Sequence, residues 1–131
     1  MPCRGVRGAI TIERNDAGEI VAATRRLLEQ IVAANEMQPA QIASVIFTAT
    51  PDVDAAYPAR AARELGWLHV PLLCMQEMAV PGSLPLCIRV LVHWNTTRAL
   101  EEINHIYLGR AQALRPDLAQ SIAAIDQEEE R

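Results

Sequence analysis

The chain contains no lysine. All 12 of its basic residues are arginines, which removes a Schiff-base nucleophile, a pyridoxal phosphate anchor and the lysine of a phosphate-binding P-loop together. Aromatic residues make up only 4% of the chain. With no basic stripe either, there is no stacking platform and no phosphate-tracking surface, so nucleic acid is not an expected partner. Cysteine is sparse: Cys3, Cys74 and Cys87 lack CxxC spacing, which points away from a disulfide framework and a zinc site. His69, His93 and His105 show no HxH or HExxH spacing, and no metal is expected. Ser44 and Ser83 sit in no GxSxG elbow, Cys74 has no identifiable histidine partner, and no glycine fingerprint for a dinucleotide occurs. No apolar run is long enough to span a bilayer and no secretory leader is recognisable, so the expected location is the cytoplasm, without a membrane partner.

What is present fits one domain. The 131 residues are 50% hydrophobic, enough for a real core. Of the net charge of −4, residues 126–131 carry −3, so the body is nearly neutral and the end of the chain reads as a flexible acidic tail over residues 119–131. Residues 3–13 alternate Val6, Gly8, Ile10 and Ile12 against Arg7, Ala9, Thr11 and Glu13, a strand pattern that turns Arg7 away from the aliphatic row. Asp16 and Glu19 have capping-box spacing, and Ile20, Thr24, Leu27, Leu28, Ile31 and Val32 then recur at helical intervals to about residue 35. Pro39 opens a short helix, residues 44–50 read as a second strand, and residues 57–66 as a compact helix with a glycine C-cap. Arg60 and Arg63 lie one turn apart there, a solvated pair or an anion gate. Residues 69–75 and 86–94 are the next strands. Thr97 is placed to cap a short helix through residue 103, and residues 105–114 read as a last strand, interrupted at Gly109.

One stretch carries chemistry. Arg89 lies among Ile88, Val90, Leu91 and Val92 in what reads as a largely buried strand, and a buried charge persists only with a partner. Glu77, in Cys74-Met75-Gln76-Glu77-Met78, is the nearest candidate in sequence, and an internal Glu77–Arg89 ion pair is one reading. The other is an anionic ligand held by the rigid donor fork of the guanidinium, with further arginines converging on it. Several arginines, one carboxylate, a tyrosine and a thiol make a set that binds and polarises rather than attacks.

Blocks in the same order along residues 4–118 carry a resemblance. Arg4-Gly5-Val6-Arg7-Gly8-Ala9 with Glu13, Ala49-Thr50-Pro51-Asp52, Tyr57-Pro58-Ala59-Arg60-Ala61-Ala62-Arg63-Glu64, Val70-Pro71 before Cys74-Met75-Gln76-Glu77-Met78, Cys87-Ile88-Arg89-Val90, and His105-Ile106-Tyr107-Leu108 with Leu114-Arg115-Pro116-Asp117-Leu118 resemble the monofunctional trimeric chorismate mutases of bacteria. The resemblance implies an α+β fold, a mixed sheet of about five strands on one long helix over residues 1–118, and a homotrimer with a barrel-like core and active sites at subunit interfaces. It implies the rearrangement of chorismate to prephenate with no cofactor. By the same resemblance Arg89 donates to the ether oxygen, Glu77 accepts from the ring hydroxyl, Arg7 and Tyr107 hold a carboxylate, and Cys74 lines the pocket beside Glu77. Tyr57, Ala59, Arg60 and Arg63 would come from the neighbouring subunit, with Leu72, Leu73, Leu114 and Arg115 completing the wall or a lid. The family more often has phenylalanine at Tyr57, lysine at Arg60 and a polar residue at Leu73. The alternative is a trimeric, non-catalytic protein that binds or senses a small dicarboxylate with the same arginines.

Overall fold

A computed structural model describes residues 1–115; the proposed tail over residues 119–131 lies outside the described residues. The elements are β1 (Cys3–Thr11), α1 (Ala17–Asn35), β2 (Ile42–Ala49), α2 (Ala59–Glu64), β3 (Leu72–Gln76), β4 (Cys87–Asn95) and β5 (Ile106–Tyr107), with 3₁₀ turns at Pro39–Gln41, Leu100–Glu102 and Gly109–Leu114. The strands form one mixed sheet in the order β3-β2-β4-β1-β5. β4 runs antiparallel to both β1 and β2, whereas β3 and β5 join as parallel edges.

Helix α1 starts where the sequence places it. The Asp16 carboxylate accepts the Glu19 N–H at 3.0 Å, but the Glu19 carboxylate accepts from the backbone N–H groups of Glu13 and Arg14 rather than closing a box on Asp16. Glu19 thereby straps the end of β1 to the helix. Ile20, Thr24, Leu27, Leu28 and Ile31 are fully buried against the sheet. They come so close that a Cβ on Gly8 would lie 2.8 Å from Ile31 Cδ1 and 3.1 Å from Leu27 Cδ1. The missing side chain of Gly8 is what lets helix and sheet meet at β1.

Two expectations need correction. Thr97 caps nothing, because the short turn begins at Leu100 with Ala99 before it. The last strand stops at Tyr107, and residues 109–114 coil into a 3₁₀ turn. Gly109, at φ 61°, reverses the chain, and the next N–H, that of Arg110, leaves the ladder to bond Thr11 Oγ1 at 3.0 Å. A positive φ of this kind suits glycine and ends regular pairing.

The sheet has two unlike faces. The face toward α1 holds the main core, including Val6, Ile10, Val45, Phe47, Ile88, Val90 and Val92. On the other face the described residues form a small cluster, in which Ala9, Cys87, Tyr107 and Ala111 pack with Leu84 and Leu114 under the final turn. The rest of that face, with Ile46, Leu73, Met75 and Leu91, is left half-covered or exposed. No helix among the described residues is long and apolar enough to cross a membrane.

Candidate active site

Strand β4 alternates strictly, with Ile88, Val90, Val92 and Trp94 buried toward α1 and Arg89, Leu91 and His93 on the opposite face. Arg89 is therefore not enclosed on both sides, as its apolar neighbours implied. Its side chain keeps 43% of its accessibility, because among the described residues a helix covers one face of β4 and not the other. The start of the strand is clamped: the Asp52 carboxylate accepts the Leu86 N–H at 3.0 Å, and Thr50 Oγ1 accepts the Cys87 N–H at 3.0 Å. Leu86 is held at φ 51° by these contacts, a left-handed conformation that costs a leucine energy and persists only where neighbours impose it.

Register decides what stands beside Arg89. Pairing places Tyr107, Ala9, Arg89, Thr48 and Met75 in one row across the sheet, all on the open face, with Arg7, Leu91, Ile46 and Leu73 in the next row. Glu77 follows β3 and continues its ladder, its N–H bonding Ala49 O at 2.8 Å. Its carboxylate is split between two partners. Oε1 accepts from the Thr48 hydroxyl at 2.6 Å, and Oε2 lies 3.7 Å from Arg89 Nε. That separation is ionic attraction without a hydrogen bond, and the buried Arg89 Nε–H makes no hydrogen bond among the described residues. The Cys87 thiol lies under the same guanidinium. Burial pushes its pKa up, more than Arg89 pulls it down, so it remains a neutral thiol and a weak acceptor.

At the other end of this face Arg7 is exposed, and its backbone N–H donates to His105 Nδ1 at 2.9 Å. An imidazole that accepts at Nδ1 carries its proton on Nε2 and is neutral. Burial, and then the charges of Arg7 and Arg115, lower the His105 pKa. The charges of Arg7 and Arg115 thus both act on a histidine that adds no charge of its own. Tyr107 is buried beside them. A face with Arg89 and Glu77 at its centre and Arg7 and Arg115 at one end suits a small dianion that also has a hydroxyl to donate.

The remaining candidates form a separate group. Cys74 pairs with Phe47 and so points to the α1 side of the sheet, away from Glu77. One residue of strand is half a pleat period, so the side chains of Cys74 and Glu77, three apart, leave on opposite faces. Burial raises the Cys74 pKa, while hydrogen bonding to Ala59 and the charge of Arg63 oppose the rise, which sets the thiol against α2. A cavity of about 540 Å³ lies here, with Thr50, Tyr57, Pro58 and Cys74 in its walls together with Thr48 and Met75 from the Arg89 row. Neither Arg89 nor Glu77 lines it. Arg60 and Arg63 are exposed on α2, Arg60 within 3.5 Å of the Glu64 carboxylate. Leu72 is half-buried and Leu73 is exposed on the edge strand. Leu114 is half-buried under the final turn, over the small cluster.

The family model for chorismate mutase type I matches residues 3–118. The chain belongs to the type I chorismate mutase family. Among curated members, the chorismate mutase AroH of Bacillus subtilis is 46% identical over 120 residues, spanning 91% of this chain and 94% of its own length. The chorismate mutase AroH of Thermus thermophilus is 50% identical over 116 residues, 88% of this chain and 95% of its own. A solved chorismate mutase from Clostridium thermocellum superposes with a TM-score of 0.83 at 47% identity, covering 84% of this chain and 98% of that one.

For this type I chorismate mutase, sequence reasoning passed over Thr48 and the hydrogen bond made by His105. Thr48 looks like any strand threonine until β2 is registered against β4 and the chain after β3 brings Glu77 back over it. His105 is partly buried, and its acceptor role toward Arg7 depends on the parallel β1–β5 edge.

Proposed function

We propose that this chorismate mutase rearranges chorismate to prephenate on the open sheet face, with Arg89 and Glu77 as its catalytic residues. A single arrangement carries the reading: an acceptor and a donor are held side by side, charge-complementary, and not saturated by each other. In the rearrangement a C–O bond breaks as a C–C bond forms within one molecule, so the enzyme needs no nucleophile and no cofactor. Its task is to hold the reactive conformer and to meet the negative charge that grows on the ether oxygen. The Arg89 guanidinium supplies that stabilisation, and interactions stronger in the transition state than in the ground state are those that raise the rate. Glu77, with Oε1 already satisfied, accepts the ring hydroxyl. Arg7, Tyr107 and Arg115 receive a carboxylate.

The enzyme works as a homotrimer with sites shared between subunits, and residues 1–118 form its single domain. Two features support this reading. Leu73 and Met75 on edge strand β3 are 56% and 46% exposed, beside the half-covered Ile46 and Leu91, a band that a neighbouring sheet would bury in a barrel-like core. The group around Tyr57, Ala59, Arg60, Arg63, Leu72 and Cys74 lies on the other side of its own sheet from Arg89, so a second subunit must bring that group to the site. Leu73, Leu114 and Arg115 complete the rim, and the cytoplasm is where the enzyme works.

A non-catalytic dicarboxylate carrier would use the same arginines but would gain nothing from an unsaturated donor beside an anchored acceptor. Loss of chorismate absorbance with purified protein, read together with prephenate formation, decides between them; binding without turnover would sink the catalytic reading. Subunit sharing is tested by mixing two inactive variants, Arg63→Ala and Arg89→Ala. Shared sites recover activity in mixed trimers, because some sites then draw both intact halves from different chains. No recovery on mixing, or a fully active monomer by sedimentation, would refute the shared site.

A further inference from the structure

We propose that Thr48 is a positioning residue that holds Glu77 off Arg89 and so keeps both groups available to the substrate, an inference that rests on the catalytic reading of Glu77. Thr48 stands directly opposite Arg89 in the β2–β4 pairing, on the same open face. Its hydroxyl spends its one proton on Glu77 Oε1 at 2.6 Å, a distance typical of a donor bound to an ionised carboxylate. The other oxygen, Oε2, is left 3.7 Å from Arg89 Nε. Without an anchor, a carboxylate on a flexible side chain beside a guanidinium would close that gap into a direct, forked ion pair, the geometry the guanidinium favours. Closure would saturate the donor that must stabilise the ether oxygen and turn the acceptor away from the ring hydroxyl. The branch at Cβ restricts χ1 of Thr48, so its hydroxyl is itself well placed to act as the anchor.

The inference predicts a pattern that a purely structural threonine would not produce. Thr48→Val keeps the shape and strand preference of the side chain but removes the hydroxyl, and Thr48→Ser keeps the hydroxyl. Losing a hydrogen bond to a charged group is expected to lower kcat about tenfold to a hundredfold in Thr48→Val, with KM changed less and the melting temperature equal to or above that of the wild type. Thr48→Ser is expected to recover most of kcat. In a Glu77→Gln background, assayed at raised enzyme concentration, Thr48→Val should have little further effect, because no carboxylate remains to collapse onto Arg89. Wild-type kcat in Thr48→Val overturns the proposal, and so does an equal loss with and without the Glu77 carboxylate. Wild-type turnover in Glu77→Gln alone removes the role of Glu77 itself and the proposal with it, an outcome distinct from a failure of Thr48 with Glu77 intact.

Discussion

Replacing Arg89 separates catalysis from stability, because the effects expected on the two differ widely in size. The Arg89 side chain is 43% exposed, that of Glu77 24%, and their charged atoms are 3.7 Å apart without a hydrogen bond. A pair of this kind, screened by water, contributes about 0 to 1 kcal/mol to stability. A preorganised donor aimed at charge that develops in the transition state is worth roughly 3 to 4 kcal/mol, about a hundredfold to a thousandfold in rate. Arg89→Met should therefore lower kcat by two to three orders of magnitude while the melting temperature falls only slightly. Arg89→Lys keeps the charge but loses the fork and should stay badly impaired. If the pair were simply structural, the order would reverse: Arg89→Met would lose stability because Glu77 is stranded, and Glu77→Gln/Arg89→Met would restore folding and turnover together. Melting curves and absorbance-based kcat for both single variants and the double variant decide the matter. A double variant that folds and turns over chorismate near the wild-type rate would refute the argument for Arg89.

Other perturbations test other parts of the molecule. Gly8→Ala puts a methyl group 2.8 Å from Ile31 Cδ1 and 3.1 Å from Val90 Cγ1; overpacking of this sort costs about 1 to 3 kcal/mol, and calorimetry should show a drop of several degrees. His105 has a pKa lowered below its ordinary value of 6.5, chiefly by burial. The unfolded chain therefore takes up the proton first: the contribution of neutral His105 to stability is complete above about pH 6.5 and is lost as pH falls through the folded value. His105→Gln, whose amide oxygen can still accept from Arg7, should show a smaller fall in melting temperature between pH 7.5 and pH 5 than the wild type, with turnover flat across neutral pH in both proteins. An equal fall would remove His105 as the titrating group.

Much of this fold could be read directly from local pattern. The alternation around Val6 and Ile10, the helical spacing from Ile20 to Ile31 and the Asp16 cap all appear where expected, because each depends on residues within a turn or a pleat of one another. Arg89 and Glu77 stood out because a charge in apolar sequence demands a partner wherever the chain goes. Composition also carried weight, since a chain without lysine cannot run several chemistries whatever its fold.

What the local pattern left open turns on pairings between distant residues. Whether β4 is covered on one face or two was decided by α1 packing on a single side of the sheet, and that left Arg89 half-open. The end of β5 was decided by Gly109 turning the chain until Arg110 bonded Thr11, about a hundred residues away by the register of a parallel edge. Cys74 and Glu77 sit three residues apart yet leave the sheet on opposite sides, and Thr48 meets Glu77 only because β2 lies between β3 and β4. A strand's own sequence states which residues alternate. Which neighbour each side chain meets depends on register, and register is set by hydrogen bonds between segments that the local pattern does not connect.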